Sequence, residues 1–309
     1  MKYLIALISI LLIAPANAEK VRIKWNGDYA HNSSRTWSKD NPWDSGWSRN
    51  FKNGTPQEFG EVQKDGEITA EITLPPNTTS PVPFVMIMHS CTGMTSADKD
   101  WIALMAKRFL AEGYGVIAPD SYTPRYVDSS CGMPDLHWGR RRAEDAYSAL
   151  DYLIENKLAN PDQVYITGYS NGGLTSLIAL TKQMADHKNK FAGAFPVVPS
   201  CISVTVKYAE YYNPVMAFIG EKDQANLAKY CIELGQQKRS TPVQIIVMKN
   251  ADHGYMINRP ASIFKTAAAN GKQLQWSLTY NQAATDYTLD AIVKALKTKQ
   301  FAKNSVVMK

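Results

Sequence analysis

The fold class is decided by residues 164–173, which read VYITGYSNGG. The run VYIT at its start is rich in β-branched and aromatic residues, which is typical of a buried strand, and a helical pattern follows over residues 172–183. Between strand and helix lies a Gly-x-Ser-x-Gly pentapeptide centred on Ser170. A strand that turns directly into a helix leaves no room for bulk beside the turn residue, so Gly168 and Gly172 suit this context. The pattern predicts that the Ser170 hydroxyl is lifted clear of a sheet, beside a helix N-terminus that favours negative charge.

Strand and helix patterns alternate on both sides of this stretch. Strands are predicted at 68–74, 82–88, 114–118, 192–198, 214–219 and 243–248, and helices at 98–112, 137–157, 225–237 and 284–296. Several of the strands are continuous apolar runs, as the strands of a parallel sheet are when both faces are covered. The alternation predicts an α/β fold with a mostly parallel central sheet and helices on both faces.

A serine hydroxyl is a weak nucleophile at neutral pH, so Ser170 needs a base, and the base needs an orienting acid. In this architecture the acid and then the histidine follow the serine, each at the carboxyl end of a later strand. Two histidines follow Ser170. His187 lies in a charged stretch and is interpreted as a solvated surface group. His253 lies in a turn-rich loop after the strand 243–248, and we predict that it is the general base.

The acid is expected at the end of the preceding strand, 214–219. That strand runs into Gly-Glu-Lys-Asp, and Asp223 is the predicted acid. Two rivals stay open at this stage. Glu221 lies in the same turn, and Asp252 adjoins His253 in sequence but should therefore point elsewhere.

Acyl transfer also needs two backbone N–H groups to hold the oxyanion. One is expected from Asn171, directly after the serine. The other is expected from the loop 89–93, which reads HSCTG, and we assign it to Cys91. His89 in this loop is interpreted as a structural hydrogen-bonding residue.

A series of motifs occurs in a fixed order over residues 67–260. The series is MIMHSCTG at 86–93, APDSY at 118–122, Cys131-Gly132, Arg141 with its helix, GYSNGG at 168–173, GEKD at 220–223 and DHG at 252–254. Together these motifs resemble the dienelactone hydrolase family of α/β-hydrolases. The resemblance implies the α/β-hydrolase fold, hydrolysis of an ester or lactone, and no metal or other cofactor.

The chain departs from the namesake enzymes of that family in two places. Ser170 stands where they use a cysteine, and Ser90 stands where they have an acidic residue. Both departures argue against dienelactone itself as the substrate. Two residues are predicted to contact the substrate. Arg125 lies near where the family binds a substrate carboxylate, although it fits a surface arginine equally well, and Tyr169 adjoins the serine.

The first eighteen residues have the pattern of a signal peptide. Lys2 is followed by an apolar run over 3–14, and Ala-Asn-Ala at 16–18 is a typical cleavage site. The run is shorter than the roughly 20 residues that span a bilayer. We therefore predict cleavage after Ala18, export to the periplasm or the exterior, and no membrane span in the mature chain. A retained membrane anchor is the alternative.

All four cysteines lie after the predicted cleavage site. In an oxidising compartment an even number indicates disulfides. We favour the pairs Cys91–Cys131 and Cys201–Cys231, because each would link loops at one edge of the predicted sheet; free buried thiols are the alternative. Neither the cysteines nor the histidines have the spacing of a metal site.

Residues 19–66 differ from the remainder of the chain. They hold four of the seven tryptophans, among polar residues and with little periodicity beyond a short strand at 21–25. They are interpreted as an extension packed on a 67–309 domain by its aromatic rings, with a lid or sugar-binding role as the alternative.

Charge and motifs together bound the function. The chain has 34 basic and 28 acidic residues, interspersed, which argues against a nucleic-acid partner. We expect an exported serine esterase acting on a small-molecule ester or lactone. The alternatives are a peptidase or amidase of the same fold and a non-catalytic binding protein on a hydrolase scaffold. Substrate choice is expected to depend on the loops 121–137, 199–212 and 254–283.

Overall fold

A computed structural model describes residues 18–25, 66–78, 81–125, 128–131, 135–267, 272–301 and 305–309. The strands are β1 (Ala18–Lys24), β2 (Glu67–Thr73), β3 (Val82–Met88), β4 (Gly115–Asp120), β5 (Ala159–Tyr169), β6 (Gly193–Val197), β7 (Val215–Gly220), β8 (Val243–Met248), β9 (Ser262–Ala267), β10 (Gln273–Leu278) and β11 (Ser305–Met308). The helices are α1 (Ser96–Ala111), α2 (Asp135–Glu155), α3 (Asn171–Ala179), α4 (Val204–Lys207), α5 (Ala228–Gln236) and α6 (Gln282–Thr298).

Nine of the described strands form one sheet, in the order β1-β2-β4-β3-β5-β6-β7-β8-β11. All neighbours from β4 to β11 run parallel, whereas β1 and β2 add an antiparallel edge. The predicted mostly parallel sheet is confirmed. The interior strands are mostly buried, which explains the apolar runs that dominate their sequences.

Helices cover both faces of this sheet. From β3 the chain passes through α1 to β4 on one side, and from β4 it returns through α2 to β5 on the other side of β3. Crossovers between parallel strands are right-handed. The two connections run in opposite directions across the sheet, so α1 and α2 lie on opposite faces. In keeping with this, α6 packs against α1 and α3 packs against α2. None of the described helices is long and apolar enough to cross a membrane.

The parallel strands end together at one edge of the sheet. Met88 at the end of β3 pairs with Gly168 in β5, and Gly220 at the end of β7 pairs with Met248 at the end of β8. The loops that follow β3, β5, β7 and β8 therefore leave the sheet side by side. These loops carry the residues that the sequence singled out, which is the usual position of a site in an open α/β sheet.

Part of the predicted N-terminal extension belongs to this sheet. The short strand expected at 21–25 is β1, and it pairs antiparallel with β2. Residues 1–17 of the predicted signal peptide, and residues 26–65 with the other tryptophans of the extension, lie outside the described residues.

Candidate active site

Ser170 occupies the sharp turn between β5 and α3. Its backbone has φ +55° and ψ −110°, a strained conformation for a residue with a side chain. The flanking glycines permit this turn because neighbouring backbone comes very close to their Cα atoms. A Cβ atom on Gly168 would lie 2.3 Å from the Gly172 backbone, and one on Gly172 would lie 2.2 Å from the Met88 carbonyl oxygen. The Ser170 side chain is thereby presented at the carboxyl edge of the sheet, at the start of a helix.

The structure brings Ser170, His253 and Asp223 together in one hydrogen-bond chain. His253 Nε2 lies 3.0 Å from Ser170 Oγ, and His253 Nδ1 lies 2.8 Å from Asp223 Oδ2. Since the carboxylate accepts, Nδ1 carries the proton and Nε2 is left to accept from the serine hydroxyl. The second Asp223 oxygen accepts from the N–H groups of Ala225 and Asn226, at 2.9 and 2.8 Å. All three members of the chain are buried.

The rival residues have other partners. Glu221 accepts from the N–H of Asn250 at 3.0 Å, outside the hydrogen-bond chain. Asp252 accepts from the N–H groups of Gly254 and Thr279. It therefore joins the two ends of the segment that carries β9 and β10. Neither carboxylate is hydrogen-bonded to His253.

The interpretation of His187 as a solvated surface group is wrong. Its ring is buried and stacks on the Tyr147 ring at a centroid distance of 3.6 Å. Its Nε2 lies 3.0 Å from the Glu144 carboxylate. The residues next to His187 in sequence do not indicate its burial, because its contacts Tyr147 and Glu144 belong to α2, about 40 residues earlier in the chain.

Asp98 anchors the loop after β3 to the start of α1. Its carboxylate accepts from the Ser90 N–H at 2.8 Å, the Thr92 hydroxyl at 2.7 Å and the Thr95 hydroxyl at 2.5 Å. Thr95 caps α1 and Asp98 lies in the first turn, where the helix dipole favours a carboxylate. The sequence analysis missed Asp98, although Thr-x-x-Asp before an apolar helix is a capping-box signal.

A disulfide holds the same loop from the side. Cys91 is bonded to Cys131, and the Cys91 carbonyl accepts from the Ser130 N–H at 2.8 Å and the Ser129 hydroxyl at 3.2 Å. The second disulfide joins Cys201, after β6, to Cys231 in α5. Both pairs are those favoured from the sequence, and no described cysteine is free.

Arg142 links the two segments that were expected to supply oxyanion donors. The side chain is fully buried, and it donates to the Asn171 side-chain oxygen and, at 2.6 Å, to the His89 carbonyl. Its guanidinium lies over the Tyr122 ring, 5.1 Å from the centroid. The sequence analysis named Arg141 and its helix but gave Arg142 no role.

Burial and the Arg142 charge lower the pKa of His89 well below its ordinary value. The neutral ring accepts from the Ser121 N–H at Nε2, at 3.3 Å, and Nδ1 lies 2.8 Å from the Ser90 carbonyl. With Nε2 accepting, Nδ1 is the protonated nitrogen and donates to that carbonyl. His89 therefore ties the loop after β3 to the loop after β4.

The family model of the dienelactone hydrolase family matches residues 68–299. The chain belongs to this family. A curated relative, protein usf of Aquifex pyrophilus, is 25% identical over 207 residues, which cover 64% of this chain and 85% of the relative. The resemblance stated from the motifs is thereby confirmed, and the family is one of hydrolases.

Two solved structures show the fold of this dienelactone hydrolase family member. A dienelactone hydrolase-like promiscuous phosphotriesterase from metagenomic libraries has a TM-score of 0.57 at 13% identity, over 91% of this chain and 98% of that one. A puromycin-hydrolyzing peptidase of Mycobacterium tuberculosis has a TM-score of 0.52 at 19% identity. The match covers 79% of this chain and 39% of the peptidase, so the chain spans well under half of that protein. The α/β-hydrolase fold is confirmed.

The site of this dienelactone hydrolase family member opens into a cavity of about 220 Å³. Ser170 and His253 lie on its inner side, together with Cys91 of the loop after β3. Strands β9 and β10 form a separate hairpin that contributes Phe264 and Trp276 to the cavity wall. The segment 254–283, expected to be a loop over the site or an edge excursion, thus includes a hairpin that lines the site.

The two predicted substrate-contacting residues have different outcomes. Tyr169 lines the cavity, but its hydroxyl donates to the His253 carbonyl, and burial raises the pKa of that hydroxyl well above its ordinary value. Tyr169 therefore also holds the histidine loop in place. The side chain of Arg125 lies outside the described residues. Within the described ranges, no group of three or more His, Cys, Asp or Glu side chains is placed to hold a metal ion.

Proposed function

We propose that this member of the dienelactone hydrolase family is an exported serine hydrolase that cleaves a carboxylic ester or lactone through an acyl-enzyme. The observation that carries the proposal is the chain of hydrogen bonds from Asp223 through His253 to Ser170, with distances of 2.8 and 3.0 Å. The 3.0 Å distance between His253 and Ser170 is within reach for proton transfer from a nucleophile to a general base, and the 2.8 Å distance lets Asp223 orient that base.

The proposed reaction has two halves. His253 takes the proton of Ser170 while Oγ attacks the ester carbonyl, and the N–H groups of Cys91 and Asn171 stabilise the oxyanion. His253 then returns the proton to the leaving alcohol. Water attacks the acyl-enzyme with the same histidine as base, and Asp223 stabilises the imidazolium in both halves.

Ester or lactone cleavage is preferred over amide cleavage for a reason specific to this chain. The cavity beside Ser170 is small and apolar in the described residues, and no described cation lines it to bind a peptide terminus. The peptidase named above shares the fold over a minority of its own length. The same three residues would serve amide chemistry, so substrate assays must separate the two.

The deciding experiment measures hydrolysis of p-nitrophenyl acetate and butyrate, beside an aminoacyl anilide, by residues 19–309. Wild-type protein should hydrolyse the esters faster than the anilide, and Ser170→Ala should abolish turnover and labelling by a fluorophosphonate. Ser176→Ala, on the same helix, is the matched control and should keep activity. Turnover that survives in Ser170→Ala would refute the proposal.

Export is supported by the two disulfides, which persist in oxidising compartments. Expression of the full chain in a bacterium, followed by N-terminal sequencing of the periplasmic protein, should yield a chain that begins at Glu19. Recovery of an uncleaved chain in the membrane fraction would contradict this part of the proposal.

A further inference from the structure

The cavity beside Ser170 has aromatic walls. Trp101 of α1 and Tyr169 of β5 line one part, with ring centroids 5.2 Å apart. Phe264 and Trp276 of the β9–β10 hairpin line another part, and their rings stack at 4.8 Å. The Trp276 ring also meets the His253 imidazole edge to face, at 5.8 Å. A group held by these rings would therefore lie directly beside the reacting atoms.

The strand register of the hairpin places Phe264 and Trp276 side by side. Phe264 and Trp276 are directly opposite in the antiparallel ladder, so they share a face. Ile263, one residue earlier, is on the other face and is 62% exposed. The two faces of the hairpin thus differ sharply. One closes the cavity with aromatic rings, and the other carries an unburied side chain that makes a suitable control position.

The size of the cavity suits one aromatic ring with a short linker. Its volume is about 220 Å³. A protein cavity of about 150 Å³ with apolar walls binds benzene. A long acyl chain or a peptide would exceed this volume and extend out of the cavity.

The charge in the cavity favours an uncharged ligand. Asp98 is the one described charged residue in the lining besides the His253 ring, and both of its oxygens accept hydrogen bonds from the loop after β3. No described lysine or arginine lines the cavity. A substrate carboxylate placed here would lose its hydration without gaining a cationic partner, which is costly in an apolar site.

We propose that this cavity binds a flat, uncharged aromatic group on one arm of the ester, and that Phe264 and Trp276 select that ring. This assignment rests on the proposed function, because it takes Ser170 as the nucleophile. The aromatic group belongs either to the acyl part or to the alcohol part of the ester, and the two are separated by experiment.

The test compares matched pairs of esters. Methyl benzoate against methyl butyrate probes the acyl arm, and benzyl acetate against butyl acetate probes the alcohol arm with leaving groups of similar basicity. In wild-type protein, kcat/KM should favour the aromatic member of at least one pair. Trp276→Leu and Phe264→Leu should each lower that preference by about tenfold, because aromatic contacts are lost while apolar filling is kept. Ile263→Ala should leave the preference unchanged.

A second readout does not depend on turnover. Boronic acids add to an activated serine, and their organic group takes the place of the acyl arm. If the acyl arm is aromatic, phenylboronic acid should inhibit more strongly than butylboronic acid, and Trp276→Leu should remove the difference. If the alcohol arm is aromatic, the two inhibitors should be equal while benzyl acetate stays preferred.

The failures are distinguishable. Ester hydrolysis that depends on Ser170 but shows no aromatic preference in either pair, or an aromatic preference that both hairpin variants retain, would overturn this inference alone. Absence of any Ser170-dependent hydrolysis would overturn the proposed function together with it. Either hairpin variant suffices if the other does not fold.

Discussion

Arg142 places a buried positive charge between the Asn171 side chain and the loop after β3. Its fork reaches the Asn171 side chain and the His89 carbonyl, so one side chain sets the separation of the two segments from which the oxyanion donors are proposed. A guanidinium can span two such acceptors in a fixed geometry, whereas an ammonium is a single point on a flexible stem. Arg142 is therefore a positioning residue within the proposed mechanism.

Arg142→Lys should lower kcat by about tenfold to a hundredfold with little change in KM, because a displacement of about 1 Å in a catalytic group has effects of this size. Steady-state kinetics on the ester that wild-type protein hydrolyses fastest would measure it. Arg140→Lys, which alters the partly exposed ion pair with Glu144 on the same helix, is the control. Equal kcat in wild type and Arg142→Lys would contradict the positioning role.

The role of Asp223 can be separated from its place in the fold. Asp223→Asn keeps the shape but presents a donor to His253 Nδ1, which favours the wrong imidazole tautomer. We expect kcat to fall by about 10⁴-fold, as in other serine triads, with the melting temperature changed little. Glu221→Gln, in the same turn but hydrogen-bonded to Asn250, should retain full activity. The reverse pattern would transfer the acid role to Glu221.

His89 makes stability depend on pH with a definite sign. Its folded-state pKa lies below the ordinary value of 6.5, since burial and Arg142 oppose protonation. Between these two values the unfolded chain binds a proton that the folded chain does not, so stability is lost as pH falls below 6.5. For one proton the slope is at most about 1.4 kcal/mol per pH unit.

Urea unfolding of wild type and His89→Gln at a series of pH values from about 5 to 8 measures this effect. The variant should be less stable at neutral pH but should lose less stability on acidification. An identical slope in both proteins would mean that other groups account for the acid sensitivity.

The residues of the hydrogen-bond chain could be predicted because each follows a recognisable strand or turn pattern. Ser170 follows β5 directly, and Asp223 and His253 lie in the loops after β7 and β8; the shared edge of a parallel sheet brings such positions together. Arg142 could not be assigned in the same way. Its role depends on contacts with Asn171 and the His89 carbonyl, which lie far away along the chain and which no local pattern encodes.

Among the elements that line the cavity, the β9–β10 hairpin is one that the sequence analysis did not predict. Residues 273–278 read QLQWSL, a strict polar–apolar alternation that indicates a strand with one covered face. The adjoining tract, 268–272, reads AANGK, and its Asn-Gly dipeptide is a typical hairpin-turn signal that the sequence analysis did not use. Because this alternation was not used, the position of Trp276 in the cavity wall was not predicted.

The two disulfides should affect activity differently. Cys91→Ser with Cys131→Ser releases a link between residues 40 apart and loosens the loop that lines the cavity. We expect a loss of about 2–4 kcal/mol in the free energy of unfolding and a lower kcat. Cys201→Ser with Cys231→Ser should cost similar stability but less activity, because neither cysteine lines the cavity.

Unfolding in urea and ester hydrolysis, both measured for the two double variants, test this contrast. Equal losses of kcat would show that the Cys91–Cys131 link has no special effect on the site. A reducing agent should combine the effects of the two double variants in wild-type protein, and in each double variant it should add only the effect of the disulfide that remains.

At the scale of the molecule, the centre of the sheet was predictable and its edges were less so. Strands β3, β6 and β7 are continuous apolar runs, because both of their faces are covered. By contrast β11 has only four residues, none of them fully buried, at the outer edge beside β8. A strand so short and half-exposed has almost no pattern of its own, and its place depends on pairing with β8.

The position of β1 bears on the order of events in the proposed export. Cleavage after Ala18 would leave Glu19 as the new N-terminus, yet Ala18 and Glu19 are already paired with Thr73 and Ile72 across the ladder. If the proposed cleavage takes place, the bond has to be cut before β1 joins the sheet, because a peptidase binds its substrate as an extended, unpaired chain. A chain that folded first would hold Ala18 and Glu19 in the ladder and would keep its leader. Pairing of this edge strand would therefore set the time by which the leader has to be removed.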